Sequence, residues 1–124
     1  MPVDVRHHGA VDVYEISVDL RAGVGDLDFA AALDRYLGRL VDDGRIESWR
    51  LLRRKLGFGA GGEFKLLIET RDLAQLDTAF IAVSTRDEPI EGLHHGLNSL
   101  VTNFQASLYR DFPDPHRVAG QERF

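Results

Sequence analysis

The chain has 124 residues and no cysteine, the size of one compact unit with a single core; disulfides, thiol nucleophiles and cysteine-ligated zinc are excluded. Its 15 basic and 20 acidic residues leave a formal net charge of −5, against the basic surplus of a dedicated nucleic-acid binder. With no apolar run near the ~18 residues of a membrane span and no basic-then-apolar leader, the expectation is a cytoplasmic single domain over 1–124, its core at about 11–112, with irregular segments at 1–10 and 113–124.

Along the chain, Val11 to Leu20 alternates Tyr14, Ile16, Val18 and Leu20 with Glu15, Ser17 and Asp19, the period of a strand with one apolar face. Asp26 is the expected N-cap of a helix reaching about Asp43, with Phe29, Leu33, Tyr36, Leu37 and Leu40 at helical spacing. Gly44 stands where a left-handed residue closes such a helix. A second strand is expected over about Ile46–Leu56 and a third over Glu63–Thr70, joined by Gly57-Phe58-Gly59-Ala60-Gly61-Gly62 as a hairpin.

Asp72 is expected to cap a second helix through about Val83, with Leu73, Leu76, Phe80 and Ile81 or Val83 turned inward. Residues 85–88 interrupt it. Pro89 fits the first turn of a further helix carrying Ile90, Leu93, Leu97 and Leu100. A last strand over about Thr102–Arg110 alternates Phe104, Ala106 and Leu108 with Asn103, Gln105, Ser107 and Tyr109, and the proline-containing tail is extended. The order β-α-β-β-α-β is the split βαβ, ferredoxin-like arrangement. It is an α+β fold that predicts a four-stranded antiparallel sheet with its helices on one face.

The opposite face of that sheet is polar. It carries Glu15 and Ser17, then Lys65, Leu67 and Glu69, then Asn103, Gln105, Ser107 and Tyr109. Such a face can stay in water; alternatively, two copies pack these faces into a closed barrel around a semi-polar cavity, which also covers edge strands. Leu67, Tyr109 and Trp49 or Leu51 would then support the interface.

The element order, the length, and the long segment ending in a helix before the last strand resemble the dimeric α+β barrel superfamily. That superfamily includes stress-responsive A/B barrel proteins, antibiotic-biosynthesis monooxygenases and small cyclases. The stretches Arg53-Arg54-Lys55-Leu56-Gly57-Phe58-Gly59 and Tyr109-Arg110-Asp111-Phe112-Pro113-Asp114-Pro115 are similar to a bacterial branch with no assigned activity. The resemblance implies a homodimer, and superfamily membership alone does not carry function, since such folds host catalysts and non-catalysts alike.

The glycine run fits G-x-G-x-x-G, but the dinucleotide fingerprint needs a helix after its glycines, and a strand pattern follows here. His94 falls beside the buried stripe of its helix and can reach the sheet or a cavity mouth, whereas His95 faces solvent. Some relatives in the resembled superfamily use a histidine near this segment as a base, a role that suits imidazole near pH 7; the alternative is a half-buried histidine bonded to a backbone carbonyl. His7-His8 reads as a solvated segment, and no ligand spacing predicts a metal. Arg50, Arg53, Arg54 and Lys55 form the one dense basic cluster. Arg50 with Arg54, or Arg53 with Lys55, would point into a barrel and hold a carboxylate, unless they pair with Glu15, Glu63 or Glu69 on neighbouring strands. Glu15, Glu69 and Tyr109 are candidates to line one cavity.

The expected function is binding of a small molecule in a semi-polar cavity, either between sheet and helices or at the dimer barrel, by Glu15, Ser17, Arg50, Arg54, Lys65, Glu69, Asn103, Gln105 and Ser107. The alternative is a cofactor-free monooxygenase or cyclase acting on an aromatic or polyketide-like compound, with His94 as base and Tyr109 as hydrogen-bond donor. Neither reading invokes a cofactor, a metal, a nucleic acid or a membrane.

Overall fold

A computed structural model of the protein describes residues 11–59, 61–114 and 116–121. Alternation of apolar and polar residues sets β1 (Asp12–Leu20), whose Tyr14, Ile16 and Val18 turn toward the helices. The helix α1 (Asp26–Asp42) follows. Its N-cap is Gly25, not Asp26, and no side chain caps it. Asp26 instead opens the first turn, where a carboxylate suits the helix dipole, and accepts from Arg53 Nη1 at 2.9 Å. The other end closes as a Schellman motif. Gly44, at φ 72°, donates to the Val41 carbonyl, and Arg45 donates to that of Leu40, both at 2.9 Å.

The hairpin strands are β2 (Ser48–Arg53) and β3 (Phe64–Thr70). The second strand is shorter than expected because the chain leaves the ladder after Arg54, whose N–H still reaches the Glu63 carbonyl at 2.9 Å. The glycine run connects two strands, and no helix follows it. Asp19 secures this end of the sheet. It accepts from the Glu63 N–H and from Asn103 Nδ2, each at 2.8 Å, and these donors, the Glu63 amide foremost, hold its carboxyl below the usual 3.8.

Two helices, α2 (Leu73–Ser84) and α3 (Ile90–Asn98), precede β4 (Val101–Arg110). Asp72 caps α2 as expected, its Oδ1 accepting from Gln75 N at 2.8 Å. Pro89 occupies the N-cap of α3 rather than its first turn. The inward face of α2 differs from the expected one: Gln75, Leu76, Ala79 and Ala82 are buried, while Leu73, Phe80 and Ile81 are exposed. This helix is apolar nearly all round, so its pattern alone did not orient it.

The sheet order is β2-β3-β1-β4, with every neighbour antiparallel, the ferredoxin-like arrangement. Both outer strands are edges. The β1–β4 register slips between Ser17 and Asp19, so that Asn103 and Phe104 together oppose Val18. Asn103 takes φ 56°, a left-handed conformation that asparagine tolerates better than most residues. The core lies between the sheet and the helices. Leu33, Leu37, Leu40, Ile46, Leu66 and Ile68 are buried there, with the Phe29 and Phe64 rings 5.0 Å apart. Burial of each of these larger side chains stabilises by roughly 1.5–3 kcal/mol.

Candidate functional site

The inner face of α2 presents alanines where larger residues would fill the layer, and space remains between helices and sheet. A cavity of about 270 Å³ lies there. Tyr14 and Ile16 of β1, Tyr36 of α1, Phe80 and Val83 of α2, His94 and Leu97 of α3, and Phe104 of β4 line it. Tyr14 and Phe80 meet edge to face, centroids 5.6 Å apart; Tyr36 and His94 lie 5.5 Å apart.

The wall is mostly aromatic and aliphatic, and its polar or hydroxyl-bearing residues are Tyr14, Tyr36, Ser84, His94 and Asn98. Among the described residues no Asp, Glu, Lys or Arg lines it. Burial, with the neighbouring Tyr14 phenol as a lesser cause, pushes the Tyr36 hydroxyl up to about 12, because a phenolate there loses its hydration. Tyr36, one of the lining residues, therefore keeps a neutral hydroxyl, able to donate or accept. Such a surface accommodates an uncharged ring compound with one or two polar edge groups.

Of the residues singled out from sequence, the structure brings only His94 to this cavity. Glu15, Ser17, Arg50, Lys65, Glu69, Gln105, Ser107 and Tyr109 share the opposite face of the sheet, since Glu15 opposes Leu67 and Ser107, Ser17 opposes Lys65 and Gln105, and Val13 opposes Glu69 and Tyr109. Arg50 opposes Leu67 on that face, while Trp49 and Leu51 turn toward the helices and do not serve it. Glu15 pairs with Lys65 at 3.2 Å, and Glu69 accepts from Ser48 Oγ at 3.1 Å.

Four expectations are corrected by this geometry. Arg50 and Arg54 do not form a pair, because Arg54 lies past the strand end and donates to the Gly61 carbonyl at 3.0 Å. Arg53 does not point into a barrel with Lys55: it stands over the Phe64 ring at 5.0 Å and pairs with Glu63 at 2.7 Å and Asp26 at 2.9 Å. His94 and Tyr109 cannot act on one molecule within one chain, since the sheet separates them. Asn103, expected beside Gln105, sits at the bulge with its amide committed to Asp19.

Tyr14 and Tyr36 escaped sequence reasoning because both sit at core-facing positions. The available signal was chemical: a tyrosine in a core stripe carries a hydroxyl that needs a polar neighbour or a cavity. Among the described residues no three His, Asp or Glu side chains converge to hold a metal, and no helix is long and apolar enough to cross a membrane. His7 and His8 lie outside the described residues.

A model for a family of unknown function (DUF6614) matches residues 11–124. No curated protein matches by sequence. Among solved structures, a mutant of SnoaB, a cofactor-independent oxygenase from Streptomyces nogalater, is similar at 12% identity and TM-score 0.58, covering 87% of this chain and 97% of its own. A hypothetical Arabidopsis thaliana protein, At3g17210, is similar at 9% identity and TM-score 0.62, covering 83% and 88%. A dimeric ferredoxin-like protein of unknown function from Jannaschia sp. CCS1 is similar at 13% identity and TM-score 0.59, covering 80% and 97%. At these identities the likeness concerns the fold.

Proposed function

This chain belongs to the family of unknown function DUF6614, and from that premise we propose that it binds a small, uncharged aromatic molecule in the cavity between sheet and helices, as a cytoplasmic homodimer of single-domain protomers. The observation that carries the proposal is the cavity itself: about 270 Å³, at the small end of ligand sites, with Tyr14, Tyr36 and His94 as the polar groups that orient a ring. Among the described residues its lining carries no charged side chain, which selects against carboxylates and phosphates, whose desolvation would go uncompensated.

The dimer draws support from the polar sheet face, where Val13, Leu52, Leu67 and Tyr109 supply apolar ground among Glu15, Ser17, Arg50, Lys65, Glu69, Gln105 and Ser107. The Jannaschia protein of the same fold is dimeric. In this proposal those polar residues meet a second copy, and the aromatic ligand lies on the opposite side of the sheet.

A second reading, favoured by the position of His94 and by the fold shared with a cofactor-independent oxygenase, is chemistry without a cofactor. The His94 imidazole takes a proton from a phenol or an activated C–H, and the Tyr36 hydroxyl donates to the oxygen that becomes anionic. Dioxygen would be the co-substrate for oxygenation; cyclisation needs none.

A thermal-shift screen of neutral one- and two-ring aromatic compounds tests the binding reading. A concentration-dependent stabilisation, lost when Val83→Phe fills the cavity, is expected. Equal stabilisation of the Val83→Phe variant would place the ligand elsewhere. His94→Ala separates the two readings: binding that survives while turnover falls at least a hundredfold supports the enzyme.

A further inference from the structure

The helices do not cover the whole sheet. They lie over β2, β3 and β1, and β4 remains an edge strand whose residues from Asn103 to Arg110 are all exposed. Two of its large apolar side chains, Phe104 at 57% and Leu108 at 46% relative exposure, turn to the helix side, where Leu108 opposes Tyr14. Phe104 and the exposed Phe80 belong to the cavity lining. The mouth of the cavity is therefore bordered by an uncovered apolar strip.

The segment that follows β4 has the complementary deficiency. Phe112 is 83% exposed and Val118 52%. The described part of the tail thus leaves its own large apolar residues in water and does not fold back over the strip. Its direction explains why: it leaves β4 at the end remote from Phe104.

Two-fold symmetry resolves both deficiencies at once. Two β4 edges related by a dyad pair antiparallel along one seam of the barrel, which removes the exposed β4 edges. In that arrangement the residues beyond Arg110 of one copy emerge beside Val101–Phe104 of the other. We infer that in the homodimer each protomer's Asp111–Asp114 segment crosses to the second copy and sets Phe112 against the partner's Phe104, closing the mouth of the partner's cavity. This rests on the dimer proposed above and adds to it that each cavity is completed in trans.

Because the chain has no cysteine, introduced thiols report contacts without background. Phe104 and Phe112 of one chain are eight positions apart and roughly 25 Å apart along an extended backbone, far beyond disulfide reach. A disulfide between them must therefore join two copies. Equal amounts of Phe104→Cys and Phe112→Cys proteins are mixed, allowed to exchange and oxidised, with sedimentation of the untreated wild-type protein run alongside. Disulfide-linked heterodimer as the dominant product is expected, while a Ser107→Cys and Phe112→Cys mixture, with Ser107 on the other face, stays unlinked. If Phe104→Cys fails to fold by circular dichroism, Leu108→Cys alone is oxidised instead: the antiparallel register that sets Phe112 against the partner's Phe104 brings each Leu108 opposite its own copy, and a linked Leu108→Cys homodimer is expected. A dimer by sedimentation without the 104–112 link overturns the crossing alone. A monomer throughout overturns the dimer as well.

Discussion

Tyr36 offers the sharpest physical test of the cavity. Its hydroxyl is raised from the ordinary 10.0 to about 12 by burial first and by the Tyr14 phenol second. Two units at about 1.4 kcal/mol each set an upper bound on the order of 2–3 kcal/mol favouring the neutral form in the folded protein, less where the ring edge meets water. The sign is fixed by linkage: an acid whose folded pKa exceeds its unfolded one stabilises the fold below the unfolded value. That contribution is fully present below about pH 10 and is lost as pH rises toward about 12.

The chain has three tyrosines, so phenolate absorbance during alkaline titration resolves them by substitution. The phase near pH 12 should vanish in Tyr36→Phe, persist in Tyr109→Phe, and move down in Tyr14→Phe. Stability from denaturant melts should fall between pH 10 and 12 in the wild type and fall less in Tyr36→Phe. A titration in which Tyr36→Phe removes an ordinary phase near 10 would refute the desolvated environment and, with it, the enclosure of the cavity.

Other substitutions test the frame around the site. Leu37→Ala, at a residue only 1% exposed, should cost about 2–5 kcal/mol in urea denaturation; a loss under about 1 kcal/mol would mean the core relaxes into the cavity. Gly44→Ala, at φ 72°, should cost about 1 kcal/mol by the same measurement, and an unchanged midpoint would contradict the Schellman closure. Asp19 is held below the usual 3.8 by the Glu63 amide and then by Asn103, so its contribution is present above about 3.8 and lost as pH falls through its lower folded value. Asp19→Asn should flatten that acid limb of a stability curve and speed exchange of the Glu63 amide, whereas unchanged exchange would remove Asp19 as the clamp of the hairpin.

Much of the scaffold was legible because its patterns are local. Period-two alternation in β1 and β3 and the helical stripe of α1 state which side is buried, and the Asp72 and Gly44 signals mark helix ends through bonds made within four residues. The inner face of α2 was not legible: with apolar residues nearly all round, its orientation is decided by which side carries alanines small enough to approach the sheet. The bulge at Asn103 depends on a cross-strand slip that only pairing reveals. Polar residues drew attention to the sheet face opposite the cavity, since charge is conspicuous in sequence while a void is not. His94 was found because a polar residue beside an apolar stripe is itself an anomaly. Tyr14 and Tyr36, aromatic members of the stripes, carried no such contrast.

The central claim, a ligand cavity on the helix side of the sheet, is tested most directly by mapping backbone amide shifts while titrating an uncharged bicyclic phenol such as 1-naphthol. Saturable shifts centred on Tyr14, Tyr36, Phe80, His94 and Phe104, with one site per chain, are predicted. Shifts centred instead on Glu15, Lys65, Gln105 and Tyr109 would place binding on the opposite face and contradict the account.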